Sequence, residues 1–339
     1  MSRLRDPART SIHDIARVAG VSVMTVSRSI RGVNGVSEET RARILALAEE
    51  MDYVPDASAR ALAAPNANLI GISFPTLFND VFPDILEGMR RTFDQAGYSS
   101  VMDTTDYDLG RELAWADRFL AWRPAAVILT GVDHDPRLRR RLERGRVPTL
   151  ELWDVAEDPI DLCVGIDHRA DGHALAVEIA AMGYRRPLYI GAPEGLDPRA
   201  DKRVGGIAVA FREAGGGDLR RIGATGSNSF VVGAEGVGRV DRADLPDVLF
   251  FLTDNMAFGG LMAVQQAGLR VPEDIGIVGF NGLDLTRVLP RPITTMSTPR
   301  RQLGLTGARH LLARLNGVDP PRVTRLPSAF VPGSTTRMQ

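Results

Sequence analysis

Positively charged side chains follow two of the apolar runs that the sequence predicts to be buried strands. Lys202 and Arg203 come after one run, and Arg300 comes after another. A buried guanidinium needs a partner, and a carboxylate that accepts two parallel hydrogen bonds is the best match. These residues predict a site for a small anion, unless the two arginines pair with acids of the same chain. The internal partners available are Glu151, Asp154 and Asp197.

Polar side chains also cluster near the N-terminus, where the apolar spacing predicts two short helices. Apolar residues share one face of 12–19, and Gly20 suits the left-handed residue that ends a helix. Ser22 can cap the second helix, whose apolar side includes Val23 and Val26. Two such helices form a helix-turn-helix, although a helical hairpin with no DNA-binding role has the same periodicity.

The second helix of this motif offers groups that hydrogen-bond to bases and phosphates in the major groove of DNA. These residues are Ser22, Thr25, Ser27 and Arg28. A third helix is predicted to begin at a Ser37 cap and to end before Pro55. The local charge agrees, because residues 1–43 hold eight arginines and four acids whereas the whole chain has a net charge of −1.

Beyond residue 68 the sequence alternates uninterrupted apolar runs with amphipathic segments. This pattern is typical of parallel strands that helices cover on both faces. Because it occurs once before Asp167 and again after it, we predict an α/β fold with two doubly wound lobes and a cleft. Ligands of such sheets bind beyond the carboxyl ends of the strands. The predicted domains are a helix-turn-helix head at 1–55, a hinge helix and linker at 56–67, and a two-lobed effector-binding and dimerisation domain at 68–339.

Composition excludes several classes of protein. Cys163 is the only cysteine, which excludes an intramolecular disulfide and fits a reducing cytoplasm. The first residues lack the apolar run of a signal peptide, and no segment approaches a membrane span, so we expect no membrane partner. Phosphate-binding glycine motifs and a nucleophile elbow are absent, and the five histidines lack metal-ligand spacing. We therefore expect no enzyme activity, no catalytic residue, no metal and no cofactor.

Short motifs in the first 62 residues resemble those of the lactose-repressor (LacI) family of transcription regulators. The matching strings are Ser-Ile-x-Asp-Ile-Ala, Ala-Gly-Val-Ser, Thr-Val-Ser-Arg, Tyr-Val-Pro and Ala-Arg-Ala-Leu. The resemblance continues along nearly the whole chain. It implies a homodimer that binds double-stranded, pseudo-palindromic operator DNA and responds to a small-molecule effector. A sugar-binding transport protein, which the two lobes alone would suggest, is disfavoured by the head and by the missing signal peptide.

The resemblance assigns roles on the DNA side. Val23 and Met24 fall at the two positions that choose bases, where apolar side chains should prefer a thymine methyl group. Arg28 lies one turn further on and would read guanine or hold a phosphate. Leu62 matches the family's hinge leucine, which enters a minor-groove step and kinks the duplex. The alternatives are that Val23 belongs to the core of the head and that Leu62 is a plain linker residue.

The resemblance also assigns effector contacts. Arg203 falls on the family's effector-binding arginine, whereas Asn281 and Gly282 replace two acids that suit neutral sugars. The loss of both acids beside added arginines favours a sugar acid, and several local strings are most similar to the gluconate-utilisation regulators of the family. A neutral sugar or a sugar phosphate is the alternative effector. The predicted effector-binding residues are Asn79, Phe82, Thr130, Asp154, Lys202, Arg203, Thr253, Asn281 and Arg300.

Overall fold

The computed structural model describes residues 10–30, 32–53, 67–77, 81–226 and 228–338. By its internal contacts the chain divides into two compact units, Met1–Ala67 and Asn68–Gln339. Leu62 and Asn79 lie outside the described residues. None of the helices within the described ranges is long and apolar enough to cross a membrane.

The first unit contains three short helices. They are α1 (Ile12–Ala19), α2 (Val23–Ile30) and α3 (Glu38–Glu50). The predicted caps are confirmed: Gly20 is left-handed with φ 65°, and the Ser22 hydroxyl accepts a hydrogen bond of 3.1 Å from the backbone of Thr25. Ser37 caps α3 through the backbone of Thr40. Each helix contributes at least one buried side chain to a common core, as the sequence periodicity requires. These residues are Ile15, Ala16, Val26 and Ile44.

The second unit consists of two α/β lobes, which confirms the predicted fold class. The N-terminal half of the chain forms most of lobe 1. Its elements are β1 (Ala67–Phe74), α4 (Val81–Gln95), β2 (Ser99–Thr104), α5 (Leu109–Leu120), β3 (Pro124–Thr130), α6 (Pro136–Gly145), β4 (Thr149–Trp153) and β5 (Leu162–Gly165). Its sheet has the strand order β11-β5-β4-β3-β1-β2, where β11 (Val323–Arg325) comes from the end of the chain. The pairs β1–β2, β3–β4, β4–β5 and β5–β11 are parallel.

Lobe 2 repeats the same alternation and is completed by the last elements of the chain. Its elements, with those that follow, are α7 (His168–Ala181), β6 (Pro187–Gly191), α8 (Pro198–Glu213), β7 (Arg220–Gly223), α9 (Ser229–Gly238), a 3₁₀ turn (Arg242–Asp244), β8 (Val248–Phe251), α10 (Asp254–Gln266), β9 (Gly276–Asn281), α11 (Leu285–Val288), β10 (Thr294–Ser297), α12 (Arg300–Leu315), β11 (Val323–Arg325) and β12 (Ala329–Val331). The sheet order is β12-β10-β9-β8-β6-β7, with only the β10–β12 pair antiparallel.

Three chain crossings join the lobes. The chain leaves lobe 1 after β5, returns after β10 so that α12 packs on α4, and leaves again between β11 and β12. Residues at the carboxyl ends of central strands from both sheets lie together at this junction. A cluster of apolar side chains continues through both lobes and fixes the strands in place.

A chain of buried ionisable groups lies inside lobe 1. The Nδ1 atom of His134 is 2.7 Å from Glu112, and its Nε2 atom is 3.6 Å from Glu151. Burial raises the pKa of Glu151 to about 7. Burial alone would lower the pKa of His134, but the hydrogen bond and charge of Glu112, with Glu151, raise it instead. The cluster therefore holds protons more tightly in the folded protein than in the unfolded chain.

We expect the substitution Glu151→Gln to flatten the dependence of stability on pH. A carboxyl with a raised folded-state pKa stabilises the fold fully below its ordinary pKa of 4.5, and that contribution is lost as pH rises through about 7. Urea unfolding at several pH values should show the wild type losing about 3 kcal/mol relative to the variant over this window. The raised pKa of His134 affects stability in the same direction, because its contribution is also lost as pH rises. Parallel curves for the two proteins would contradict the assignment.

Candidate functional site

A cavity of about 230 Å³ lies between the two lobes, at the carboxyl ends of their strands. Lobe 1 contributes Phe82 from α4 and Trp153 from the end of β4, and lobe 2 contributes residues after β6, β8 and β9. This is the position at which open parallel sheets bind ligands. The polar or charged lining residues are Thr76, Tyr107, Asp197, Arg199, Arg203, Thr225, Ser229, Thr253 and Asn281.

Arg203 is buried at this cavity and has a histidine, not an acid, as its hydrogen-bonding neighbour. Its Nη1 atom lies 3.0 Å from Nδ1 of His168, and its guanidinium lies 4.5 Å above the ring of Phe280. Across the ranges that the structure describes, no carboxylate forms an ion pair with it. The alternative in which Arg203 pairs with Glu151, Asp154 or Asp197 is therefore wrong.

His168 supplies no compensating negative charge. Its Nε2 atom lies 3.1 Å from the carbonyl oxygen of Trp153, which can only accept a hydrogen bond, so Nε2 carries the proton. Nδ1 is then free to accept from Arg203. Burial and the neighbouring Arg203 lower the pKa of His168 well below its usual value. The pair consists of a neutral imidazole and a full positive charge.

Arg199 is a second buried arginine at the cavity, one helical turn before Arg203. Asp197 caps α8 and also accepts a hydrogen bond of 2.9 Å from Nε of Arg199. Burial alone would raise the pKa of Asp197, but Arg199 and Arg203 together hold it below its usual value. The Nη1 atom of Arg199 is buried and has no hydrogen-bond partner. Because residues four apart share a helix face, both arginines line the same cavity.

Four of the predicted effector-binding residues line this cavity. They are Phe82, Arg203, Thr253 and Asn281. Asn281 is 3% exposed, and its Oδ1 atom has no partner. The hydroxyl of Thr253 caps α10 by accepting from the backbone of Met256 at 3.3 Å. Thus the segment after β8 and the end of β9 each bring a polar side chain to the site.

Four other predicted residues do not line it. Lys202 and Asp154 form an ion pair of 2.5 Å with each other. Arg300 pairs with Asp84 at 2.9 Å and also donates to the carbonyl of Asn281. Thr130 donates to the carbonyl of Ser73 and lines a separate, smaller cavity. The basic character of the cleft therefore comes from Arg199 and Arg203, because the charges of Lys202 and Arg300 are neutralised by acids of the chain.

The predicted DNA-contacting residues lie on or just before α2. Ser22 and Arg28 are exposed, Met24 is 63% exposed, and Thr25 and Ser27 are half-buried. Val23 is also half-buried and packs against the core of the first unit, as its alternative role requires. On the same unit, the side chains of two arginines bond to backbone carbonyls. Arg41 donates to Val33 and Arg43 donates to Ala19.

Comparisons with known proteins agree over most of the chain. The model of bacterial regulatory proteins of the LacI family matches residues 11–56, and the periplasmic binding protein-like model matches residues 177–336. The HTH-type transcriptional regulator GntR of Escherichia coli K12 is 32% identical over 330 residues, covering 96% of this chain and 98% of that protein. The regulator IdnR of the same strain is 30% identical over 92% of this chain and 93% of that protein.

A solved structure supports the same relationship. A LacI-family transcriptional regulator from Silicibacter pomeroyi has a TM-score of 0.89 and 34% identity, and covers 96% of this chain and 99% of its own. The chain belongs to the LacI family. This LacI-family regulator binds DNA and responds to a ligand, and it is a transcription regulator rather than an enzyme.

The tautomer of His168 in this LacI-family regulator can be measured directly. We expect the nitrogen-15 spectrum of the full-length protein to show Nε2 protonated and Nδ1 unprotonated from mild acid to neutral pH. The reason is that Arg203 and the Trp153 carbonyl together leave no place for a second proton. The variant His168→Gln identifies the signals. A histidine signal lost in that variant that titrates near its ordinary pKa would contradict this geometry.

Proposed function

We propose that the effector is a sugar acid such as gluconate, and that the regulator represses transcription as a homodimer on pseudo-palindromic operator DNA. The observation that carries the choice of effector is the buried, positive Arg203 with no acid paired to it. A carboxylate is the group that best matches a guanidinium in shape and charge. The names GntR and IdnR of two relatives support the same class of ligand.

A sugar acid satisfies more of the cavity than a neutral sugar would. Its carboxylate can accept from Arg203 and from the unpartnered Nη1 of Arg199, and its hydroxyls can donate to the unpartnered Oδ1 of Asn281. A neutral sugar would leave a buried charge without an anion, which costs several kcal/mol. A sugar phosphate is the second candidate, but the negative charge of Asp197 beside Arg199 opposes a dianion.

The arrangement also supports a mechanism for the response. A ligand in the cavity contacts Phe82 and Trp153 of lobe 1 and Arg203 of lobe 2 at once, so it favours whichever relative position of the lobes fits it best. The three chain crossings restrict that motion to a hinge. A difference of about 1–3 kcal/mol between the two arrangements is enough to switch operator affinity.

On the DNA side, we propose that α2 enters the major groove. Ser22, Met24 and Arg28 are exposed along it, and Thr25 and Ser27 lie between them. Val23 would then contact a base only with the part of its side chain that the core leaves uncovered. Leu62 is proposed as the residue that enters the minor groove between the two copies.

The effector is tested by calorimetry with gluconate, glucose and glucose 6-phosphate. We expect gluconate to bind most tightly of the three. Arg203→Gln should lower the affinity for gluconate about 100-fold, because two charge-assisted hydrogen bonds of about 1.5 kcal/mol or more are lost. Operator affinity without ligand should change little.

The matched control is Arg212→Gln, the same change at an exposed position of the same helix. It should leave gluconate affinity unaltered. Equal loss in both variants, or unaltered binding to Arg203→Gln, would remove Arg203 from the effector site.

Operator recognition is tested by the substitution Arg28→Ala. We expect it to weaken operator binding by about 1–3 kcal/mol if Arg28 reads a guanine, and to relax sequence preference at one position of each half-site. Gel-shift titration against single-base variants of the operator measures both effects. Arg17→Ala on α1, which removes an exposed arginine from the neighbouring helix, should have a much smaller effect. The same loss in both variants would indicate only a change in net charge.

A further inference from the structure

A second, smaller cavity of about 130 Å³ adjoins the effector cavity. The two cavities share three residues of their walls, Tyr107, Leu196 and Arg199. The smaller one, called here the side chamber, extends into lobe 1 below the ends of β1 and β3. Thr130, which the sequence predicts to contact the effector, lies in this side chamber instead of in the main cavity.

The side chamber offers mainly hydrogen-bond acceptors. The hydroxyl of Thr130 donates to the carbonyl of Ser73 at 2.7 Å, and that of Thr105 donates to the carbonyl of Phe74 at 3.4 Å. Their protons are thereby committed, and their oxygen lone pairs remain for a ligand. Glu112 adds a carboxylate, held by His134 at 2.7 Å. A ligand that fits these groups must bring hydroxyl donors.

Arg199 provides the connection between the two cavities. Its Nε atom is bonded to Asp197, whereas its unpartnered Nη1 lies 3.4 Å from the point that a β-carbon on Gly131 would occupy, at the wall of the side chamber. Arg199 is only 6% exposed, so this donor depends on a bound group for a partner. No other positively charged residue lines the side chamber among those that the structure describes.

The acids around the side chamber repel negative charge on a ligand, whereas Arg199 attracts it. Asp108, Glu112 and Asp133 all line it. A single carboxylate between Arg199 and Arg203 is favoured, but a second one in the side chamber would meet these acids at close range. The side chamber therefore suits an uncharged, hydroxylated group.

Tyr107 forms the partition between the cavities, and its backbone is strained. Asp106 and Tyr107 are consecutive non-glycine residues in the left-handed region, with φ 52° and 63°. Such strain persists only where the surroundings hold it in place. Here it sets the Tyr107 ring 5.5 Å from the guanidinium carbon of Arg199, at the opening between main cavity and side chamber.

We propose that the side chamber binds the hydroxylated tail of an open-chain sugar monoacid whose carboxylate lies on Arg199 and Arg203. This inference rests on the proposed sugar-acid effector and narrows it to one class. A short acid has too few hydroxyls to satisfy the acceptors of the side chamber while its carboxylate lies on both arginines, and a diacid places its second charge among Asp108, Glu112 and Asp133. The chain should therefore prefer six-carbon monoacids to both.

Calorimetry of the full-length protein with gluconate, glycerate and glucarate tests this. We expect glycerate and glucarate to bind at least about tenfold more weakly than gluconate. Thr130→Val should lower the affinity for gluconate about three- to tenfold, which is the effect of one hydrogen bond, and leave the affinity for glycerate unchanged. Thr104→Val, at an exposed position of β2 outside both cavities, is the matched control and should leave both affinities unaltered.

The ratio of gluconate to glycerate affinity within one variant separates loss of a contact from loss of structure. If Thr130→Val lowers the affinities for gluconate and glycerate equally, the ratio of the two affinities is measured again in Thr105→Val. A ratio equal to that of the wild type in both variants overturns the side-chamber proposal. Glycerate or glucarate binding as tightly as gluconate to the wild type overturns it while the sugar-acid effector stands. Binding of glucose alone, with none of the three acids, overturns both.

Discussion

The rest of the effector site depends on one buried positive charge. A guanidinium out of contact with water is tolerated only if something replaces its hydration, and around Arg203 the protein supplies a neutral imidazole and an aromatic ring. These contacts orient the group and shield it without neutralising it. If the proposed anionic effector binds here, part of its free energy of binding comes from giving this charge a partner.

The other cations near the cleft show how selective this arrangement is. Lys202 is paired with Asp154 and Arg300 with Asp84, and in each case the two partners come from different lobes or from a chain crossing. These ion pairs connect parts of the two lobes, whereas Arg203 is the cation that we propose for the ligand. Because Lys202 and Arg300 already have acids as partners, neither is left as an unpaired cation at the cavity.

Sequence patterns were sufficient for elements whose own residues determine them. The capped helices of the first unit and the apolar central strands of the lobes could be located because caps and periodicity are local. Helix α9 could not, since its glycines disfavour a helix; Gly233 is there because a β-carbon would lie 2.0 Å from the carbonyl of Met256 on α10. The short strands β11 and β12 exist only through pairing with distant strands.

The same limit applies to the site. The strand-end rule located Arg203 and Asn281, but the choice of acid for each cation depends on three-dimensional distances. Arg199 was not singled out, because only the structure shows that it is buried at the cavity beside Asp197.

The order in which the lobes are completed has a consequence for biosynthesis. The sheet of lobe 1 lacks its edge strand until β11 has been made, and lobe 2 needs both β12 and the Thr335 hydroxyl, which bonds to the carbonyl of Ile277. The three helices of the first unit need nothing beyond residue 53 for their own core. The three-helix unit can therefore fold outside the ribosome long before the strands that complete either lobe have been synthesised. During that interval the nascent protein has the helix that we propose for DNA binding, but neither of its lobes is complete.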